Sequence, residues 1–254
     1  MSSGYWRVIE SSQNPHAKRW EQLVESRGIR KHGEFLLAGR KAVPEALARH
    51  PQRFHAVIAI DPDQVAGLPL PAHIEKFRVS RAIFDALDPS GTGFPLLVGK
   101  TPEMPKADLA SPPQGLELVC ALGDPNNLGA ALRSAAAFGA TRIVLMAEAA
   151  HPFHPKALRA AANAQFELTL LRGPSWAELG NSAGPILALD AEGEDMAGFS
   201  WPRDMRLVLG EEGRGIPETL KVRRLAIPMT GAVESLNATV AASLALYSHY
   251  LATR

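Results

Sequence analysis

Apolar residues in the second half of the chain form short, nearly continuous runs separated by polar turns. Such runs, at 116–121, 142–146 and 206–209, are typical of a parallel sheet covered on both faces. Helical patterns lie between them, which predicts an alternating α/β domain. The remaining predicted strands are 166–171, 186–190 and 225–227, and the predicted helices are 128–138, 155–162, 175–179, 217–220 and 235–252.

The first hundred residues alternate strand and helix on a smaller scale. Asn14-Pro15 has the pattern of a helix start and Gly28 that of a stop, which predicts a helix over 15–27. The other predicted strands are 34–38, 55–60, 74–79 and 94–98, and the other predicted helices are 41–49 and 81–87. We therefore predict a compact α/β domain at 1–104, a proline-rich linker at 105–115 and a second domain at 116–254.

The last predicted helix has two polar residues near its start. Ser235 is a suitable N-cap, because its hydroxyl can accept a backbone N–H of the first turn. Asn237 is a poor helix former, and a cleft-lining amide needs a partner, for which a ligand is one candidate. The apolar residues that recur at helical spacing, and whose face we expect to be buried, are Leu236, Val240, Leu244, Tyr247 and Leu251.

The composition is that of a globular protein, with 46% hydrophobic residues. No run approaches the ~18 apolar residues of a membrane span, and the first residues lack the apolar core of a signal peptide. Cys120 is the single cysteine and lies in an apolar run, which favours a buried strand residue over a nucleophile. We expect a cytoplasmic protein without a membrane partner.

Charge is unevenly distributed along the chain. Residues 1–60 carry ten Lys and Arg against five Glu, a net +5, whereas the whole chain has a net charge of only +1. A basic amino-terminal portion favours a module that binds a polyanion. The alternative is a solvated basic surface with no partner.

Three segments that follow predicted strands combine small residues with a few polar ones. In the first, a polar turn opens an alanine-rich helix that carries Arg133 about a turn and a half beyond Asn127. In the second, three glycines within 210–215 allow a ligand to approach the backbone, although neither phosphate-loop pattern is present. The third is the turn and helix start at 228–237. Ligands of parallel sheets bind beyond the carboxyl ends of strands, so all three are candidate ligand segments.

Together these segments resemble the signature motifs of the SpoU (TrmH-type) family of RNA ribose 2′-O-methyltransferases, in the SPOUT superfamily. The matching residues are Asn127-Leu-Gly-Ala-Ala-Leu-Arg133 with Gly139, Leu209-Gly-Glu-Glu-Gly-Arg-Gly215, and Ile227-Pro-Met-Thr-Gly231 with Ser235-Leu-Asn237. The stretch Phe35-Leu-Leu-Ala-Gly-Arg-Lys-Ala-Val is similar to the start of the L30e/L7Ae-like RNA-binding domain that many members carry. The resemblance implies a SPOUT parallel-sheet domain with a trefoil knot, preceded by a smaller L30e-like α/β domain.

The resemblance also implies the chemistry and its residues. S-adenosyl-L-methionine would be held in the knot by Leu209, Gly210, Ile227, Met229 and Leu236. The residues implied for catalysis or for substrate positioning are Arg133, Asn127, Glu212, Ser235 and Asn237. A homodimer formed through the SPOUT domain would complete the site across its interface.

The implied reaction moves a methyl group from a sulfonium to a ribose 2′-hydroxyl and needs no metal, because the donor already carries the cation. The family often assigns Arg133 the role of base. Since a guanidinium stays protonated in proteins, the alternative is that Arg133 holds the adjacent phosphate and stabilises the developing alkoxide.

The RNA contacts expected outside the catalytic motifs involve Arg40, Lys41, Lys156 and Arg159. Two positions depart from the family pattern: Asn163 lies where relatives have a Ser-x-Gly-Ala-like turn, and Ala38 lies where Glu is common. Ribosomal RNA of the 23S type is favoured as substrate, because the additional amino-terminal domain is more typical of members that act there. The alternatives are a tRNA 2′-O-methyltransferase and a non-catalytic RNA-binding or ribosome-assembly protein of the same fold.

A metal site is not predicted. His151-Pro-Phe-His154 has the spacing of two ligands, but the sequence offers no evident third or fourth ligand. A proline-bounded loop is the favoured interpretation.

Overall fold

The computed structural model describes residues 5–211 and 213–254, and the chain divides into two compact units. The first unit runs to Pro102 and also includes His151–Asn163. The second contains Glu103–Ala150 and Ala164–Arg254, so the segment predicted as a linker belongs to it. No helix in the described part of the chain combines the length and the apolar character that crossing a bilayer requires.

The first unit is built on a five-stranded mixed sheet. Its elements are β1 (Trp6–Ile9), α1 (Pro15–Gln22), α2 (Ser26–His32), β2 (Glu34–Leu37), α3 (Ala42–Arg49), β3 (Phe54–Ala59), β4 (Glu75–Val79), α4 (Arg81–Leu87) and β5 (Leu96–Lys100), together with α6 (Pro155–Ala161) from later in the chain. The strand order is β1-β4-β3-β5-β2. The pairs of β4 are parallel and those of β5 are antiparallel. The edge strand β1 was not predicted.

The helix predicted over 15–27 is wrong: two helices, α1 and α2, occupy this region. Gly28, predicted as a stop, lies inside α2, where a Cβ would come within 1.8 Å of the Gln22 carbonyl oxygen. Glycine is needed here because the helices approach closely. The left-handed residue that caps α2 is Gly33, with a φ of 64°.

The second unit is built on a six-stranded sheet in which every pair is parallel, as the apolar runs predicted. Its elements are β6 (Leu116–Cys120), α5 (Pro125–Ala137), β7 (Arg142–Leu145), β8 (Thr169–Arg172), α7 (Trp176–Leu179), β9 (Ile186–Asp195), β10 (Met205–Leu209), β11 (Arg223–Ala226) and α8 (Ala238–Thr253). The strand order is β11-β9-β10-β6-β7-β8. The helix predicted at 217–220 is wrong, because these residues form a turn.

A buried ion cluster joins the central strands of this sheet. Glu117 on β6 lies 2.9 Å from the Arg206 Nε on β10 and 3.0 Å from the Arg142 Nε on β7. The Arg206 guanidinium also donates to the carbonyl oxygens of Asp108 and Ser111, at 3.1 and 2.9 Å. Because a buried guanidinium must have its donors satisfied, these bonds fix part of the proline-rich segment to the second unit.

The apolar face predicted to be buried on the last helix is instead exposed. Val240, Leu244, Tyr247 and Leu251 are 42–48% exposed, while Ala242, Ala245, Leu246 and His249 are buried. The helical periodicity identified an apolar stripe correctly but assigned it to the wrong environment. The buried side of α8, made of two alanines, Leu246 and His249, lies on a helix that packs against α5.

Candidate active site

A cavity of about 490 Å³ lies in the second unit, beyond the carboxyl ends of β10 and β11. Its wall is contributed by three stretches: the middle of β9, the glycine loop after β10, and the segment from β11 to the start of α8. All five residues expected to hold the cofactor line it, namely Leu209, Gly210, Ile227, Met229 and Leu236. Ser235 and Asn237 also line it. The cavity thus brings together seven residues that the motif match singled out from two separate segments.

Gly210 lies at the narrowest part of the glycine loop. A Cβ on it would come within 2.5 Å of the Gly215 carbonyl carbon and 2.6 Å of its oxygen. The loop returns at this point, because Glu211 and Gly215 exchange two backbone hydrogen bonds of 3.1 and 2.9 Å. Gly213 and Gly215 have φ values of 85° and 66°, a region that other L-residues rarely adopt. The glycines are therefore required by the path of the loop. Glu212, expected to act in catalysis, lies outside the described residues.

Asn237, rather than Ser235, is the N-cap of α8. Its Oδ1 accepts from the backbone N–H groups of Thr239 and Val240, at 2.9 and 3.3 Å. The prediction of Ser235 as the cap is wrong; Ser235 is exposed at the cavity wall two residues earlier. Capping therefore explains the asparagine at position 237, which the sequence pattern alone did not.

The starts of α5 and α8 are joined through Asn127. Asn237 donates through Nδ2 to the Asn127 Oδ1 at 3.3 Å, and the Thr239 hydroxyl lies 3.2 Å from both oxygens of Asn127. Asp124 caps α5 by accepting from the backbone N–H of Asn127 at 2.9 Å. The side-chain carbonyl of Asn127 is thus directed toward α8. Thr239 contributes to this arrangement and was not identified from the sequence.

Arg133 is exposed on α5 and does not line the cavity of its own chain. No salt bridge is found for it among residues 5–211 and 213–254. Its neighbours Ala131, Leu132 and Ala135 are buried. Arg133 therefore projects from the solvent side of α5, away from the helix face that packs inward.

Sequence reasoning missed an ion pair at the cavity, of which one partner lines the wall and the other lies behind it. Asp190 on β9 lines the cavity and forms an ion pair with Arg224 on β11. Arg224 also donates to the Pro217 carbonyl oxygen at 3.0 Å. An acidic residue at the predicted end of a parallel strand is the one signal that could have indicated Asp190.

The four residues expected to contact RNA outside the motifs all belong to the first unit and are exposed. Arg40 and Lys41 precede α3, and Lys156 and Arg159 lie on α6. Asn163 follows Ala162, the C-cap of α6: its φ is 67° and its Nδ2 donates to the Ala42 carbonyl oxygen at 2.9 Å. Asparagine tolerates this left-handed conformation, so the departure from the family turn is accommodated locally.

The two histidines with ligand-like spacing are engaged in the backbone of the same unit. His151 and His154 accept through Nδ1 from the N–H groups of Phe153 and Lys156, each at 3.2 Å. Burial, followed by the nearby Arg30 and His154, lowers the pKa of His151 to about 4. In the described ranges, no group of three or more His, Cys, Asp or Glu residues is arranged to hold a metal ion.

Comparisons with known proteins agree with this architecture. The chain is 29% identical to the 23S rRNA (guanosine(2553)-2′-O)-methyltransferase RlmP of Bacillus subtilis, over 95% of the chain and 98% of that protein. It is 40% identical to the ribosomal RNA small subunit methyltransferase G 2 of Syntrophobacter fumaroxidans, but spans only 49% of that protein. The chain therefore covers about half the length of this relative.

A solved structure of the SpoU methyltransferase AviRb from Streptomyces viridochromogenes, in complex with AdoMet, superimposes with a TM-score of 0.77. The match covers 94% of this chain and 98% of that one at 22% identity, and supports the fold alone. The model of the SpoU rRNA Methylase family matches residues 118–247, just over half of the chain and all of the cavity lining. This chain belongs to the SpoU rRNA methylase family.

Proposed function

We propose that this protein is an S-adenosylmethionine-dependent RNA ribose 2′-O-methyltransferase that acts on ribosomal RNA of the 23S type. The observation that carries the proposal is the cavity, because a single cavity is lined by all five expected cofactor residues and by Ser235 and Asn237. Family membership and the activities named for its relatives point to the same reaction. Such a substrate would place its work in the cytoplasm.

The cavity fits the proposed cofactor in size and in chemistry. Its volume of about 490 Å³ is within the range of small-molecule sites. Leu209, Ile227 and Leu236 offer apolar contacts, while Gly210 allows the loop to fold closely on itself at the cavity wall. Asp190 is already ion-paired with Arg224, which leaves Glu211 as the acidic group of the lining that suits a ligand carrying positive charge.

Bound S-adenosylmethionine supplies a methyl group on a cationic sulfur, which is the electrophile for a ribose 2′-oxygen. The linked amides of Asn127 and Asn237 are fixed at the cavity edge, where they would orient the ribose by hydrogen bonds. Arg133 would remain protonated, hold the neighbouring phosphate and stabilise the negative charge that develops on the oxygen.

The proposed homodimer is supported by two surfaces of the second unit. The exposed stripe of α8 presents Val240, Leu244, Tyr247 and Leu251, and large apolar side chains grouped in this way mark interaction sites. Arg133 does not line the cavity of its own chain, so a partner's Arg133 would complete the site across such an interface. Both features are accounted for by a second copy.

The proposed trefoil knot has support in the strand order. From β9 the chain enters the inner strand β10 and then returns to the edge strand β11 on the other side of β9. The glycine loop after β10 and the turn after β11 both line the cavity. A knot in this region would hold both segments at the cofactor.

The first unit would bind the RNA, in keeping with an L30e-like domain. Gly39 and Arg159 line the same small cavity of about 70 Å³, so the two basic segments that begin at Arg40 and Lys156 lie on one region of this unit. Grouped cations on one surface suit a phosphate backbone.

Calorimetry with S-adenosylhomocysteine distinguishes the proposed enzyme from a non-catalytic RNA-binding protein of the same fold. We expect one site per chain, with micromolar affinity on the order of −8 kcal/mol. No binding would favour the non-catalytic protein.

The substrate is tested by mapping 2′-O-methyl groups in total RNA from cells with and without the gene. We expect one site in large-subunit ribosomal RNA to disappear. Loss of a tRNA site alone would overturn the ribosomal assignment.

A further inference from the structure

Arg224 connects three stretches of the cavity wall. Its Nη1 forms an ion pair with Asp190, which belongs to β9 and lines the cavity. Its Nη2 donates to the carbonyl oxygens of Pro217 and Ile216, at 3.0 and 3.5 Å. Ile216 also lines the cavity and follows the last glycine of the loop.

The geometry of these contacts requires a guanidinium. A planar group with several donors can bond a carboxylate with one nitrogen and two carbonyl oxygens with another, whereas a lysine ammonium is a single point charge. The side chain of Arg224 is 25% exposed and that of Asp190 is 18% exposed, so solvent competes only partly for these bonds. The contact is therefore stronger than an ion pair on the open surface.

The glycine loop needs such an anchor. Glycine loses more conformational freedom on folding than any other residue, and three of them lie between positions 210 and 215. The bond pair between Glu211 and Gly215 closes the loop on itself but does not attach it to β9. Arg224 supplies that attachment at the end of the loop.

We propose that Arg224 is a positioning residue that holds the glycine loop against Asp190 and thereby sets the cofactor affinity of the cavity. This inference rests on the proposed function, since it assumes that the cavity binds S-adenosylmethionine. It assigns no contact between Arg224 and the reacting groups.

Arg223 provides a matched control on the same strand. It forms an ion pair with Glu194, and its guanidinium lies 4.6 Å from the centre of the Phe199 ring. Its side chain is 57% exposed, and neither Glu194 nor Phe199 lines the cavity. A substitution here removes an arginine and its ion pair from the same strand without touching the loop.

The test measures S-adenosylhomocysteine binding by calorimetry for the wild type, Arg224→Met, Arg224→Lys and Arg223→Met. We expect Kd to rise about tenfold in Arg224→Met, to rise less in Arg224→Lys, and to stay unchanged in Arg223→Met. KM for the cofactor should rise in parallel, while kcat at saturating cofactor and KM for RNA stay near the wild-type values. A purely structural role would not produce this split or the graded rescue by lysine.

Wild-type affinity in both Arg224 variants would overturn the proposal, as would an equal loss of affinity in Arg223→Met. If Arg224→Met fails to fold, Arg224→Lys decides, because it keeps a cation beside Asp190. Absence of binding in the wild type would instead reject the proposed function, so the two failures are distinguishable.

Discussion

The side-chain amides of Asn127 and Asn237 are hydrogen-bonded across 110 positions of sequence, with 3.3 Å between the Asn237 Nδ2 and the Asn127 Oδ1. The same Asn237 side chain caps α8 through its Oδ1. One residue therefore both starts a helix and orients the amide of another motif. The two roles use different atoms, so substitutions can separate them.

Asn237→Asp should retain the helix cap and lose the link to Asn127. Aspartate caps as well as asparagine, but its carboxylate cannot donate to the Asn127 Oδ1. We expect the melting temperature and the affinity for S-adenosylhomocysteine to stay unchanged. Methyl transfer to RNA should fall by at least about tenfold. Asn237→Ala should lower the stability as well, by about 1 kcal/mol. Full transfer activity in the aspartate variant would show that the amide link has no role.

Arg133→Ala should abolish methyl transfer and leave cofactor binding intact. The side chain is exposed, so we expect stability to change by less than about 0.5 kcal/mol. Arg133→Lys keeps the charge but loses the planar guanidinium, which can bond a phosphate through two N–H groups. It should therefore recover only part of the activity. Transfer of labelled methyl groups measures the first effect and calorimetry the second. Normal transfer by the alanine variant would rule out Arg133 as a catalytic group.

Gly210→Ala should weaken cofactor binding, because the added Cβ would lie 2.5 Å from the Gly215 carbonyl carbon. The loop must shift, and we expect Kd for S-adenosylhomocysteine to rise about tenfold or more, since overpacking typically costs 1 kcal/mol or more. Gly180→Ala is the control: its φ is −62° and the nearest atom to the new Cβ lies 3.6 Å away. Equal affinities of the two variants for S-adenosylhomocysteine would contradict the close approach of Gly210 to the Gly215 backbone.

Leu244→Glu should convert the proposed dimer into a monomer. Leu244 is 42% exposed within the chain, so a charge there disturbs an interface more than the core. Light scattering after gel filtration should give twice the chain mass for the wild type and the single mass for the variant. Val8→Glu, at a residue 54% exposed in the first unit, should leave the mass unchanged. A monomeric wild type would refute the dimer.

His151 should make the protein less stable as the pH falls. Burial holds its folded pKa at about 4, against 6.5 for an ordinary histidine, so the neutral form is favoured in the folded state. Below pH 6.5 the unfolded chain takes up a proton that the folded chain does not, and stability is lost until about pH 4. Between pH 7.5 and pH 5 this linkage amounts to about 2 kcal/mol.

His151→Asn keeps an acceptor for the Phe153 N–H and removes the titration. Between pH 7.5 and pH 5, the free energy of unfolding measured with urea should fall by about 2 kcal/mol less in the variant than in the wild type. His32→Asn, at a half-buried histidine elsewhere in the unit, serves as the control. Parallel pH dependences of the wild type and His151→Asn would contradict the assignment.

The sequence predicted the parallel sheet well, because strands buried on both faces must be continuously apolar. Leu116–Cys120 and Met205–Leu209, for example, lie within one residue of the predicted strands. Sequence preferences for helix starts and stops failed where a contact with a distant residue accompanies one of two locally favourable structures. Ser235 and Asn237 are both suitable N-caps by residue type, but α8 begins after Asn237, which is also bonded to the distant Asn127.

Gly28 and α6 illustrate the same limit. A glycine can end a helix, or it can lie inside a helix where a neighbouring helix approaches closely. Gly28 does the latter, because the Gln22 carbonyl oxygen leaves no room for a Cβ. The helix Pro155–Ala161 lies between strands of the second unit in sequence but belongs to the first unit, to which Asn163 is bonded at Ala42. For the site, the motifs identified the lining residues of the glycine loop and of the turn before α8, but not Asp190 on β9. The roles of Arg224 and Thr239 depend on contacts with distant segments, which local sequence patterns do not show.

The link between Asn127 and Asn237 also has a consequence for synthesis on the ribosome. The first unit's strands and the helix that carries Asn127 leave the exit tunnel long before the residues that complete the pair. The first unit, which we propose binds RNA, is therefore fully translated while Asn237 is still to be made. In the proposed enzyme, methyl transfer would begin only after α8 has been made.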